Sequence, residues 1–248
     1  MKRSDDSWGG CKAAIVDMSF TLTELHSTLR CVKELGIESL TCREYCQLRR
    51  KGNLPQRLIV FRIDVDRSPE HSLKMASIFA DEGVAATLFF RIHSPAYDIL
   101  SPGNSRIVKT IAMMGFEVGL HCEPMVVSHL TGKAPETVIR EDIERLKEVI
   151  GGDVFGAASH GDGRYPNLNN LDFWSHHSPR EFGLWYEAYD PVSFGLFQEG
   201  RYISDSDLTR WKAYDKGKLR EGDHRTLREH LPANDLPLYA LVHPFLFK

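Results

Sequence analysis

The spacing of hydrophobic positions changes at about residue 58. Upstream, Leu22, Leu25, Leu29, Val32 and Leu35 recur at three- and four-residue steps, the period of a helix that buries one face. Thr21-Leu-Thr-Glu24 has the capping-box spacing that opens such a helix, and Gly36 stands where it should end. Thr41-Cys-Arg-Glu44 repeats the opening signal for a shorter helix, which Gly52-Asn-Leu-Pro55 interrupts. Residues 1–55 are therefore expected to form a short helical N-terminal extension, packed by its apolar stripe on the downstream domain and carrying no chemistry of its own.

From Leu58 onward, short apolar runs alternate with longer amphipathic segments. Strands are expected over 58–66, 85–92, 116–121, 154–160, 183–189, 201–205 and 238–243. Helices are expected over 69–81, where Ser68-Pro69 supplies the cap and first turn, over 107–114 and over 135–150. Strands separated by helical segments imply βαβ units, hence a mainly parallel sheet or barrel. No repeat or linker divides the region, so 56–248 reads as one α/β domain.

Composition narrows the function classes. Among 248 residues, 31 Lys and Arg stand against 34 Asp and Glu, a net charge of −3. That balance argues against a nucleic-acid partner, which calls for a basic excess. No apolar run approaches the roughly 18 residues of a membrane span. The segment from Met1 to Cys11 is polar and charged, without the apolar stretch of a secretory signal, and a cytoplasmic address is expected. The five cysteines (Cys11, Cys31, Cys42, Cys46 and Cys122) include no C-x-x-C pair and read as reduced, structural side chains.

The chemistry lies where the strands end. In parallel α/β folds, ligands bind beyond the carboxyl ends of the strands. Here successive apolar runs terminate in Asp64 and Asp66, in His121, in His160, in Asp205 and in His243. One carboxylate and two imidazoles make a three-ligand site for a divalent metal with positions left open. A second carboxylate can take a proton from water and a further histidine can give one to a leaving group. Asp64 and Asp66 are two apart and share one face of a strand. Together these groups point to hydrolysis at a polarised carbonyl. Asp205, in Ser204-Asp-Ser-Asp207, reads instead as the cap of a helix towards Trp211. His176-His177 reads as a surface pair, and Trp174, Trp185 and Trp211 as core aromatics.

Phe61-Arg-Ile-Asp-Val-Asp-Arg-Ser-Pro-Glu70, Ala85-Ala-Thr-Leu-Phe-Phe90, Gly115-Phe-Glu-Val-Gly-Leu-His121 and Leu241-Val-His-Pro244 succeed one another along the chain. In that order they resemble the motifs of the polysaccharide deacetylase superfamily (NodB homology, carbohydrate esterase type), in its divergent bacterial branch with an Asp-x-Asp motif. The resemblance runs from about Leu58 to Phe247. It implies a distorted (β/α)7 barrel and metal-assisted removal of an acyl group, usually acetyl, from an amide nitrogen of a sugar. It assigns Asp64 as general base, Asp66 as carboxylate ligand, His121 as the first histidine ligand and His243 as general acid. The implied cofactor is a divalent ion, zinc first, with cobalt, manganese or nickel as alternatives.

Two departures stand out. Val65 separates an aspartate pair that is normally adjacent, and Met125 occupies the place of the usual second histidine. His160 is the first choice to complete the ligand set and Glu123 the alternative. Arg164-Tyr-Pro166 is only a faint match to the family's Arg-x-Pro motif. The expected substrate is a small carbohydrate or sugar-nucleotide precursor. Competing readings are a haloacid-dehalogenase-type magnesium phosphatase using Asp64 and Asp66, a non-haem iron oxygenase built on His121 and Glu123, and a degenerate, carbohydrate-binding deacetylase fold.

Overall fold

Leu58–Val65 is buried along its whole length and forms the strand on which the sheet is assembled. The computed structural model describes residues 20–233 and 236–248. Its first elements are α1 (Leu22–Glu34), β1 (Glu38–Leu40), α2 (Cys42–Lys51), β2 (Leu58–Val65), α3 (Pro69–Asp81), β3 (Thr87–Phe90) and α4 (Pro102–Met113). Next come β4 (Glu117–Cys122), α5 (Pro124–Thr131), α6 (Pro135–Ile150), β5 (Gly156–Ser159), α7 (Leu171–Trp174), β6 (Tyr186–Glu187) and α8 (Leu196–Glu199). The chain ends with β7 (Arg201–Ser204), β8 (Lys212–Asp215), β9 (Lys218–Leu219), α9 (Leu227–His230) and β10 (Leu238–Val242). Cys11 and the polar stretch before it lie outside the described residues.

Strands β6-β5-β4-β3-β2-β10-β7 pair in parallel in that order. Taken from β2, this is the chain order β2 to β7 wrapped round to β10, the arrangement of a (β/α)7 barrel. Among the described residues no ladder joins β6 to β7, and the seam is spanned by side chains: Tyr189 and Tyr202 share a hydroxyl–hydroxyl bond of 3.0 Å. The expected distorted barrel is thus the fold observed, with an antiparallel hairpin, β8–β9, added beyond β7.

The period of two along each strand sorts its side chains. Ile59, Phe61, Ile63 and Val65 of β2 face outward into the core shared with α1, α3 and α4, while Leu58 and Val60 join Phe89, Ala158, Tyr186, Tyr202, Tyr239 and Leu241 inside. The interior is filled with aromatic rings, and glycine makes the room. A Cβ on Gly156 would sit 2.0 Å from the Tyr186 ring, and one on Gly119 2.5 Å from that of Phe89.

The N-terminal segment is more than the expected helical extension. Glu38–Leu40 adds a strand, paired with residues 58–60 of β2, while β3 takes residues 62–65 further along. Helix α2 then closes the barrel floor: Cys42, Tyr45 and Cys46 are buried in the interior cluster. Its first backbone N–H groups donate to side chains at the strand starts, Cys42 N to Thr87 Oγ1 and Arg43 N to Glu117 Oε2, each at 2.8 Å. Those N–H groups have no partner within the helix, and buried acceptors satisfy them here. The periodicity that predicts α2 says nothing of this contact.

Candidate active site

The strand period that fills the barrel lower down brings polar groups to its upper rim. On β2 the inward series continues through Arg62 and Asp64 to Asp66, and on β4 through His121 to Glu123. His160 and His243 come directly after the last residues of β5 and β10. All five residues predicted from the sequence meet. His121 Nε2 lies 3.3 Å from Asp64 Oδ2 and 3.4 Å from Asp66 Oδ1. His160 Nε2 lies 3.7 Å from the same Asp66 Oδ1, and His243 Nε2 lies 3.7 Å from Asp66 Oδ2.

Hydrogen bonds fix the histidine tautomers. His121 Nδ1 is 2.8 Å from the Ala158 carbonyl oxygen, which can only accept, so Nδ1 carries a proton and Nε2 is the ring atom left to face the site. His160 Nδ1 faces Glu123 Oε1 at 3.1 Å, with the same consequence. Both free nitrogens turn towards Asp66 Oδ1, a buried oxygen that receives no hydrogen bond. One ligand atom from each of Asp66, His121 and His160 fits within 4.8 Å. A carboxylate oxygen that receives no hydrogen bond, facing the Nε2 atoms of two imidazoles, fits a divalent cation by donor type as well as by spacing.

Around this trio the remaining groups are held by charge. Arg62 grips Asp64 through Nε to Oδ1 at 2.8 Å and Nη2 to Oδ2 at 2.6 Å. Burial pushes the Asp64 carboxyl up, but Arg62 above all, with His121, holds it below the usual carboxylate range. Asp66 shows the same pattern, burial being outweighed by His121, His243 and His160. His243 Nδ1 bonds Asp205 Oδ1 at 2.6 Å, and its backbone N–H donates to Asp205 Oδ2 at 2.7 Å. Burial lowers the His243 imidazole, yet Asp205, helped by Asp64 and Asp66, raises it to about 9. Over these groups opens a cleft of about 790 Å³, lined among others by Arg67, Tyr189, Leu208 and Phe245.

Some assignments change. Asp205 does not cap a helix: it is fully buried and orients His243. Its pairing depends on β7 lying beside β10, which local sequence does not disclose. Arg164, of the faint Arg-x-Pro match, forms a two-point pair with Asp162 at the rim. Arg62 and Arg91 join the site without having been predicted from the sequence. The available signal was an arginine two positions before an aspartate within an otherwise apolar strand. Met125 packs against the outer core instead of entering the site. His176 is exposed, as expected.

No family model matches the chain, and no curated protein matches it. Solved structures do. The BpsB deacetylase domain from Bordetella bronchiseptica shares 14% identity at a TM-score of 0.47, over 74% of this chain and 82% of that one. IcaB from Ammonifex degensii shares 17% identity at 0.47, over 66% and 74%. The Streptococcus pyogenes deacetylase PplD, in complex with acetate, shares 14% identity at 0.42 over 55% of this chain, which spans 63% of its length. These are distant likenesses in chain path, and the chemistry of the site rests on its own geometry.

Proposed function

We propose that this chain is a divergent polysaccharide deacetylase-type enzyme. It is a metal-dependent hydrolase that removes an acyl group, acetyl first, from an amide nitrogen of a carbohydrate or sugar-nucleotide precursor in the cytoplasm. Residues 56–248 carry the catalytic barrel, and the described part of the N-terminal segment, residues 20–55, braces it. One observation carries the reading: the donorless Asp66 oxygen beneath the Nε2 atoms of His121 and His160.

Asp66, His121 and His160 would hold the ion, with zinc as the first choice for this donor set. The chemistry available from a divalent ion in such a cage is polarisation of a carbonyl oxygen and acidification of a water. Asp64, kept ionised and in one orientation by Arg62, accepts the proton of the attacking water. His243, kept protonated by Asp205, lies across Asp66 and donates to the departing amine nitrogen. The phosphatase alternative leaves the three histidines that converge on Asp66 unused.

The test is acetate release from N-acetylglucosamine oligomers and from UDP-N-acetylglucosamine by protein loaded with zinc, cobalt, manganese or nickel. Release by the parent and its loss in Asp66→Ala is the expected result. Absence of release with every metal, from protein shown to bind the ion, would overturn the reading.

A further inference from the structure

The place of a missing ligand shows how this site is completed. Position 125, where the resemblance expects a second histidine, is a methionine packed against the outer core. His160 reaches the same centre from another strand, and it is gripped at three points. Its backbone N–H donates to the Cys122 carbonyl at 3.0 Å. Its carbonyl accepts from Asn170 Nδ2 at 2.8 Å, and Asn170 Oδ1 in turn accepts from the N–H of Met125 at 3.0 Å. Its ring Nδ1 faces Glu123 Oε1 at 3.1 Å.

Glu123 is itself immobilised. Arg91, at the end of β3, meets it with Nε to Oε2 at 2.9 Å and Nη2 to Oε1 at 2.6 Å, and the two side chains are 5% and 3% exposed. The fork matches both carboxylate oxygens, which fixes the plane of the carboxylate and hence the direction in which it accepts. The oxygen facing the His160 ring is the one that also receives Nη2. Glu123 is thereby committed to Arg91 on one side and to the imidazole on the other.

We infer that Glu123 is not a metal ligand but the positioning residue that makes His160 one, with Arg91 as the clamp that orients it. The relay Arg91–Glu123–His160 stands in for the histidine that position 125 lacks. Partners of this kind set the tautomer and basicity of a ligating histidine, and their loss typically costs about 10- to 100-fold in metal affinity. The relay presupposes the proposed metal site.

Cobalt affinity, measured by competition with a chromophoric chelator, tests the relay together with the visible spectrum of the bound ion. The parent and the variants His160→Ala, Glu123→Ala and Glu123→Gln are compared. His160→Ala and Glu123→Ala should each lose about 10- to 100-fold or more, and the spectrum should change. Glu123→Gln, whose amide oxygen still accepts from Nδ1–H although its NH2 cannot accept from Arg91 Nε, should recover part of the affinity and keep the parent spectrum. A Glu123→Ala protein that binds cobalt like the parent overturns the relay. So does a Glu123→Gln protein as weak as the alanine variant, which would make Glu123 a direct ligand, and so does unchanged binding in His160→Ala. If Glu123→Ala fails to fold because Arg91 is left unpaired, Arg91→Met/Glu123→Leu takes its place, with the same loss expected and unchanged affinity overturning the relay. A parent that binds no cobalt is a different failure, that of the metal site itself.

Discussion

Arg62 and Asp64 stand two residues apart on one strand and face each other through two parallel hydrogen bonds of 2.8 and 2.6 Å. Their side chains are 1% and 3% exposed, and the Tyr189 ring lies 4.6 Å from the guanidinium. The strand period places both on the inner face of the barrel, and the planar fork of arginine fits both carboxylate oxygens. A carboxylate that burial alone would protonate is thereby kept charged and in one rotamer beneath the cleft.

Removing one member of this pair should cost more than removing both. Arg62→Met leaves a buried, unpaired carboxylate and is expected to destabilise the fold by about 3–5 kcal/mol. Arg62→Met/Asp64→Leu, with no orphaned charge, should lose less, as read by urea unfolding. The Asp64 pKa is lowered on folding, so the pair stabilises fully above the unfolded carboxylate value and that contribution fades as pH falls through the folded value. The acid limb of the parent's stability curve should therefore flatten in the double variant. A double variant weaker than Arg62→Met would refute the coupling.

His243 should titrate unusually high in metal-free protein. Its folded value, about 9, lies above the unfolded 6.5, so its contribution to stability is complete below 6.5 and is lost as pH rises through about 9. An NMR titration of the imidazole should show the high midpoint, and Asp205→Asn should bring it down sharply. A midpoint unmoved by Asp205→Asn would remove Asp205 as the orienting partner.

Metal should bind through the three predicted ligands and stabilise the fold. Purified parent protein should carry about one ion per chain, and Asp66→Ala or His121→Ala should lose it by elemental analysis. Ion at about 100 times its dissociation constant should add about 2.7 kcal/mol, which a chelator should take away as a fall in Tm. Stoichiometric metal retained by both variants would place the ligands elsewhere.

The barrel interior should refuse one extra methyl group. Gly156→Ala directs its Cβ onto the Tyr186 ring, whose hydroxyl donates to Glu117 at 2.9 Å and cannot swing away without leaving that buried carboxylate. The expected loss is about 1–3 kcal/mol or more, measured by denaturant unfolding. Gly103→Ala, at the exposed start of α4 with nothing within 4 Å, is the neutral control.

The seven parallel strands, the helices α3, α4 and α6 between them, the shared face of Asp64 and Asp66 and the groups at the strand ends are legible along the chain, because each depends on a period of two or 3.6 and on residues a few positions apart. So are α1 and α2 with their caps. Partnership is not. Glu123 and His160 meet across 37 residues, Asp205 and His243 across 38, and each meeting needs particular strands to lie side by side. The sequence could present Asp205 as a cap, leave His160 and Glu123 as rivals, and favour no arginine for Asp64, since local periodicity carries no information about which strand neighbours which. Sheet order decided these pairings, and with them the orientation of the side chains at the centre.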